Sequence, residues 1–252
     1  MKSSLHEPAA WGVHLLQVLK WLMLAGLVAG LAGSASAVFL LALDWATTTR
    51  ESYPWLLLGL PLAGGAVGWG YFRLGQQVEA GNNLLIDEIH DPKKVVPLRM
   101  APLILLSTVI SHVFGASVGR EGTAVQMGGA LADQLTHVFR LKHESRRILL
   151  MSGISAGFAS VFGTPLAGAV FALEVLAIGR LHYDAILPCF VAAILGDYVT
   201  GLWGVHHTHY LIPEVPELSP LFLLCILLAG AIFGLVGMAF AQSTHVNQLR
   251  RR

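Results

Sequence analysis

Gly119-Arg120-Glu121-Gly122-Thr123 places an arginine and a glutamate inside an apolar run that starts near Met100 and resumes at Ala124. A carboxylate at membrane depth costs about 3 kcal/mol even on a lenient insertion scale, so a chain keeps one there for a partner or a task. The two bracketing glycines interrupt a continuous helix and let bare amide groups approach a ligand. The residues that follow, Ala124-Val125-Gln126-Met127-Gly128-Gly129-Ala130-Leu131, read as a fresh helix whose first turn lies at Gly122 to Gln126. Its unpaired N–H groups and the positive end of its dipole form an anion site. Glu121 stands at the mouth of that site. It can fill the site as a carboxylate, or leave it when protonated or displaced by an anion.

The rest of the chain supplies a membrane around this motif. Of 252 residues, 55% are hydrophobic and only 12% charged, which marks an all-α polytopic membrane protein rather than a soluble domain. Cys189 and Cys225 stand alone in apolar runs, without the spacing of a metal or redox pair. No cofactor, resident metal or nucleic-acid partner is expected, and the net charge of +1 says little. The first apolar stretch is too long for a cleavable signal and reads as the first span.

Val13 to Ala46 gives about 34 residues, which as a helix would be about 51 Å long and must tilt in a ~30 Å hydrocarbon layer. Its Gly26, Ala29, Gly30, Ala32, Gly33, Ala35 and Ala37 predict close helix packing. After a polar break at Thr47 to Ser52, a second span at Tyr53 to Phe72 carries Gly64, Gly65, Gly68 and Gly70. Arg73 to Lys94 is less membrane-like and holds a short amphipathic helix at Gly81 to His90, with Asn82 or Asn83 near its N-cap. Its first turn is a second candidate anion site.

Further segments are expected at Met100 to Val118, Ala124 to Val138, Ile148 to Phe162, Pro165 to Ile178, Ala185 to Trp203 and Leu218 to Ala241. Several are too short to span, and broken helices persist at membrane depth only under protein or beside a wet cavity. With a cytoplasmic N-terminus, Lys2, Lys20, Arg73, Lys93, Lys94, Arg99, the basic loop of Arg140, Lys142, Arg146 and Arg147, Arg180 and Arg250 to Arg252 all lie inside. Only Arg50 is left outside, with Arg120 in the membrane, which favours that orientation.

Gly119-Arg120-Glu121-Gly122 resembles the gating-glutamate motif of the CLC anion channels and proton-coupled antiporters. Gly163-Thr164-Pro165-Leu166-Ala167-Gly168, followed by Phe171-Ala172-Leu173-Glu174, resembles the family's next motif, with Gly153-Ile154-Ser155-Ala156-Gly157 between the two. Three differences look like the bacterial fluoride/proton antiporter branch. Gly81-Asn82-Asn83-Leu84 replaces a serine-containing stretch, Thr123 replaces a proline, and Val175 follows Glu174 where chloride exchangers carry an inner proton-transfer glutamate.

The resemblance implies tilted and broken transmembrane helices forming the N-terminal half of an inverted-repeat CLC fold. Residues 1–252 then make a single membrane domain without the second repeat. It also implies a gating and proton-coupling role for Glu121. Anion contacts would come from Gly81, Asn82, Asn83, Leu84, Gly119, Arg120, Gly122, Thr123 and Ala124. The partners would be fluoride or chloride, protons and the bilayer of a bacterial inner membrane, in a homodimer whose interface uses Pro165 to Val199. The implied activity is export of fluoride in exchange for protons, conferring fluoride resistance.

Blander roles compete. Arg120 can pair with Glu121 or another carboxylate, Asn82 and Asn83 can simply cap, and Thr123 can cap the helix it starts. Glu174 reads as a structural or dimer-side group. Asp44, Asp133 and Asp197 read as boundary residues before they read as a relay. His206, His207 and His209 fit a solvated loop better than a metal site. Asp87-Glu88-Ile89-His90-Asp91 fits the wet face of its helix. The rival functions are a chloride channel or chloride/proton antiporter, a non-transporting half-subunit, and a membrane hydrolase using Glu121 with His112. The hydrolase lacks a histidine pair at ligand spacing, and no enzyme activity is expected.

Overall fold

A computed structural model describes residues 8–91, 95–174, 182–207, 211 and 216–249, and the regular elements among them are all helical. Two units result, Met1–His207 and Thr208–Arg252. Among the described residues, four helical stretches are long and apolar enough to cross a membrane: Leu15–Ser52, Pro54–Leu74, Tyr183–Leu202 and Pro220–Ser243.

Helix α1 runs Pro8–Ser52, beyond both ends of the expected Val13 to Ala46. The polar Thr47 to Ser52 continues it because hydroxyls can bond back along a helix, and Ser52 Oγ donates to the Thr48 carbonyl at 2.8 Å. The span expected at Tyr53 to Phe72 is divided into a 3-10 helix at Pro54–Gly59 and α2 at Leu60–Leu74. Pro54 and Pro61 lack the N–H that a continuous ladder needs, and both sit at helix starts, where that loss is tolerated.

The next helices are α3 (Asn82–His90), α4 (Met100–Val113) and α5 (Glu121–Val138). Helix α4 stops short of the expected Val118 because Gly115 turns the backbone to φ +77°. Then come α6 (His143–Phe162), α7 (Pro165–Glu174) and α8 (Tyr183–Leu202). Helix α6 begins before the expected Ile148, so Arg146 and Arg147 lie within its first five residues rather than in a basic loop. Gly163, at φ +66° and ψ 30°, ends it in the left-handed conformation. The second unit contains α9 (Pro220–Leu249), which outruns the expected Leu218 to Ala241 at its C-terminal end.

In the first unit α6 is the hub. Ile148 to Gly157 are buried without a break, and the helix meets α1, α3, α5, α7 and α8. Glycines bring it against α5: a Cβ on Gly128 would overlap the Gly153 carbonyl, and one on Gly157 the Ala124 carbonyl. At the contact of α1 with α8, a Cβ on Gly33 would meet Gly196 O at 2.5 Å, and Thr200 Oγ1 donates to Gly33 O at 3.0 Å. The close packing expected of the other glycines does not follow. Gly26, Gly30, Gly64, Gly65, Gly68 and Gly70 face open space, because their helices turn other sides inward.

Candidate anion site

Helices α3 and α5 lie side by side and point the same way. At their starts, a Cβ on Gly122 would meet Asn82 Nδ2 at 3.6 Å. Farther along both helices, a Cβ on Gly129 would meet Leu85 at 2.9 Å. At the far end Arg146 spans the two helices. Its Nε donates to Asp133 Oδ1 at 2.7 Å, its Nη2 to Asp133 Oδ2 at 3.0 Å and its Nη1 to Glu88 Oε2 at 3.0 Å. Asp133 is fully buried, Glu88 4% exposed and Arg146 8% exposed. Fixed in this register, both helices bring their N-termini to one place. Two partial positive charges, each about half an elementary charge, add there.

Backbone bonding narrows which N–H groups can serve an anion. Those of Gly81, Asn83 and Leu84 donate to Val78, Ala80 and Gly81 carbonyls at 3.0, 3.1 and 3.1 Å, and that of Ala124 donates to Arg120 O at 3.0 Å. These four groups, expected at the site, are therefore occupied. Among the described residues no turn or loop carbonyl accepts from the N–H of Asn82, Glu121, Gly122 or Thr123. The first residues of a helix have no carbonyl one turn back, so these donors face whatever enters.

The side chains depart from simple capping. The N-cap of α3 is Gly81 at φ +58°, a conformation suited to glycine, and no side chain caps that helix. Asn82 and Asn83 are instead its first helical residues, both exposed, so the capping role expected for them is not taken up. Thr123 is buried, and its hydroxyl lies 2.7 Å from that of Thr108, tying α5 to α4 rather than capping. Glu121 is the first residue of α5 and is exposed, with its carboxylate folded back over Gly119, where any Cβ would overlap Oε2. Arg120 makes no ion pair with it among the described residues. The guanidinium sits 5.1 Å from the Phe162 ring centroid instead.

Gln126 was not singled out in the sequence, where a glutamine in a helical run reads as a wet position. Its Nε2 lies 3.3 Å from a Cβ built on Gly81 and 3.7 Å from one built on Gly122, so its amide stands between the two helix starts.

Other candidates separate clearly. Asp133 and Glu88 belong to the Arg146 clamp, so neither the relay reading of Asp133 nor the wet-face reading of Glu88 holds. Asp87, His90 and Asp91 are exposed. The His112 ring bonds to Thr108 O at 2.8 Å, Asp44 is exposed and Glu174 ends α7 exposed. His207 Nε2 approaches Asp197 Oδ1 at 3.5 Å, while His206 is exposed. Val175, Ile178, Arg180 and His209 lie outside the described residues.

Residues 63–252 match the family described as voltage gated chloride channel. The chain belongs to that family. This voltage gated chloride channel family member is 67% identical over 228 residues to a chloride/fluoride channel protein of Pseudomonas syringae pv. tomato, covering 90% of this chain and 50% of that protein. It is 28% identical over 237 residues to an H+/Cl− exchange transporter of Vibrio campbellii, again covering 50% of the relative. The crystal structure of a CLC-type fluoride/proton antiporter aligns with a TM-score of 0.80 at 34% identity, over 90% of this chain and 57% of that one. A cyanobacterial Cl−/H+ antiporter aligns at 0.68 and 22% identity, a likeness of fold. The chain spans about half the length of the curated relatives it matches. Family membership identifies a multi-pass membrane protein with the broken helices of a CLC repeat.

Proposed function

We propose that the chain serves proton-coupled fluoride export across the bacterial inner membrane, with its N-terminus cytoplasmic and two copies associating. The observation that carries this reading is the convergence of the α3 and α5 N-termini on one place, with Asn82 on one helix and Glu121 on the other. Fluoride is small and strongly hydrated, so a site that strips its water must return concentrated hydrogen bonding. The N–H groups of Asn82, Gly122 and Thr123 and the Asn82 amide supply donors without adding a fixed cation. Glu121 competes with the anion as a carboxylate and yields the site when it takes a proton. Gly119 leaves the room into which it folds.

The similarity to a fluoride/proton antiporter supports the choice of halide. The chloride/fluoride channel relative and the H+/Cl− exchange transporters keep chloride as the second reading. The test is efflux from liposomes loaded equally with fluoride and chloride and holding the purified chain, followed with one electrode for each ion. Fast fluoride loss with little chloride loss is the expected result. Equal loss favours the chloride reading, and no loss makes the chain a half that acts only with a further segment or partner.

A further inference from the structure

At the contact of α6 with α8, Ser160 Oγ has no hydrogen-bond partner among the described residues, and the buried Asp197 Oδ1, on a side chain 28% exposed, has the His207 ring as its one charged neighbour among them. Ser160 is fully buried, and its Oγ would lie 3.0 Å from a Cβ on Gly196, the residue before Asp197. Gly163 follows Ser160 by one turn. Any Cβ there would overlap the His207 ring, whose Nε2 is 3.5 Å from Asp197 Oδ1. A hydroxyl, a carboxylate and an imidazole are thus gathered where an apolar contact would serve packing better. Buried polar atoms left this way call for an occupant. A carboxylate oxygen, an imidazole and a hydroxyl that can donate or accept suit water and the proton it carries.

The cluster is at the same end of the unit as Glu121. Phe162, beside Gly163, holds the Arg120 guanidinium over its ring, and Arg120 precedes Glu121. Among the described residues the titratable neighbours of the pair in sequence, Tyr198 and His206, are exposed, and Arg120 stands over the Phe162 ring. Helix α6 presents Ser160, and α1 presents Ser34, which accepts from Trp203 Nε1 at 3.2 Å; neither titrates.

We propose that Asp197 and His207, with Ser160, form a second proton-binding site that loads protons for Glu121. The inference rests on the reading of Glu121 as the proton carrier. A proton from water settles on the His207 imidazole, with the Asp197 carboxylate as counter-charge. It leaves through water to the Glu121 carboxylate, which becomes a carboxylic acid.

Two measurements on the whole chain test this. Infrared difference spectra of the solubilised protein, acid minus neutral, should show the Asp197 carboxylate stretches moving as His207 takes its proton. Asp197→Asn should remove those bands and His207→Gln should stop them moving. In liposomes, losing a proton-loading group should slow fluoride efflux about 10-fold near pH 7.5, where protons are scarce, and little near pH 5.5, with Asp197→Glu restoring the neutral rate. A loss of equal size at both pH values, or bands indifferent to His207→Gln, overturns the proposal. Intact infrared coupling in a chain that moves no fluoride leaves the proton site standing and overturns the export reading alone.

Discussion

Glu121 is the first residue of a helix, exposed, unpaired with Arg120 among the described residues and folded over a glycine, which suits the proton-carrying role proposed for it. The Glu121→Gln variant should therefore lose proton coupling while still admitting the anion, which paired pH and fluoride electrodes on loaded liposomes would show. Proton-driven fluoride movement persisting in that variant would remove the assigned role. Arg146 invites a different prediction, because it holds two buried carboxylates on separate helices. Arg146→Met should cost about 3–5 kcal/mol, read as a lower midpoint in chemical denaturation in detergent, because Asp133 is left buried without its counter-charge. Legibility differs between these two residues for a physical reason. Glycines around a charge in an apolar run can be read locally, since they change what the backbone itself can do. Arg146 stands in a run of basic residues, and its partners Asp133 and Glu88 are 13 and 58 positions away, so nothing local separates a buried cation from a surface one. Gln126 was missed for the same reason: only the neighbouring helix start shows what its amide faces.

Helices separate into those that admit side chains at their glycines and those that do not. Gly153 lies where a Cβ would overlap Gly128 O and Ala132, both on the facing helix α5. Gly153→Ala should destabilise by about 1–3 kcal/mol, whereas Gly26→Ala, in open space on α1, should stabilise the helix by about 0.5–1 kcal/mol. Thermal unfolding of the two variants in one detergent checks both signs. Small-residue content announced helix contact in the sequence without telling which side of a helix makes it. α1 shows the limit, since Gly33 touches α8 while Gly26 and Gly30 do not. Element boundaries were legible where glycine and proline together force an end, as at Gly163, but not at the lone Gly115, where α4 ends at Val113 rather than the expected Val118. They were not legible where polar residues simply continue a helix, as at Thr47 to Ser52.

The whole molecule has a pH dependence that lies outside its spans. His182, just before α8, has its pKa lowered by partial burial and then by the charge of Arg147, against weaker opposing carboxylates. A lowered histidine pKa means that the unfolded chain binds more protons than the folded one between the two values. Stability is then full above the ordinary histidine range and falls as pH drops through the folded value. His182→Gln should flatten that acid-side loss, and melting curves between about pH 5 and 8 would measure it. The same wide view gives the Arg146 clamp a consequence in time. Glu88 leaves the ribosome 58 residues ahead of the arginine that neutralises it, roughly 3–12 s at ordinary elongation rates. Through that interval the nascent chain carries Glu88, and later Asp133, without their cation. Biogenesis must keep the segment from α3 to α5 near water or the insertion machinery until Arg146 emerges, and only then can those helices settle together into lipid.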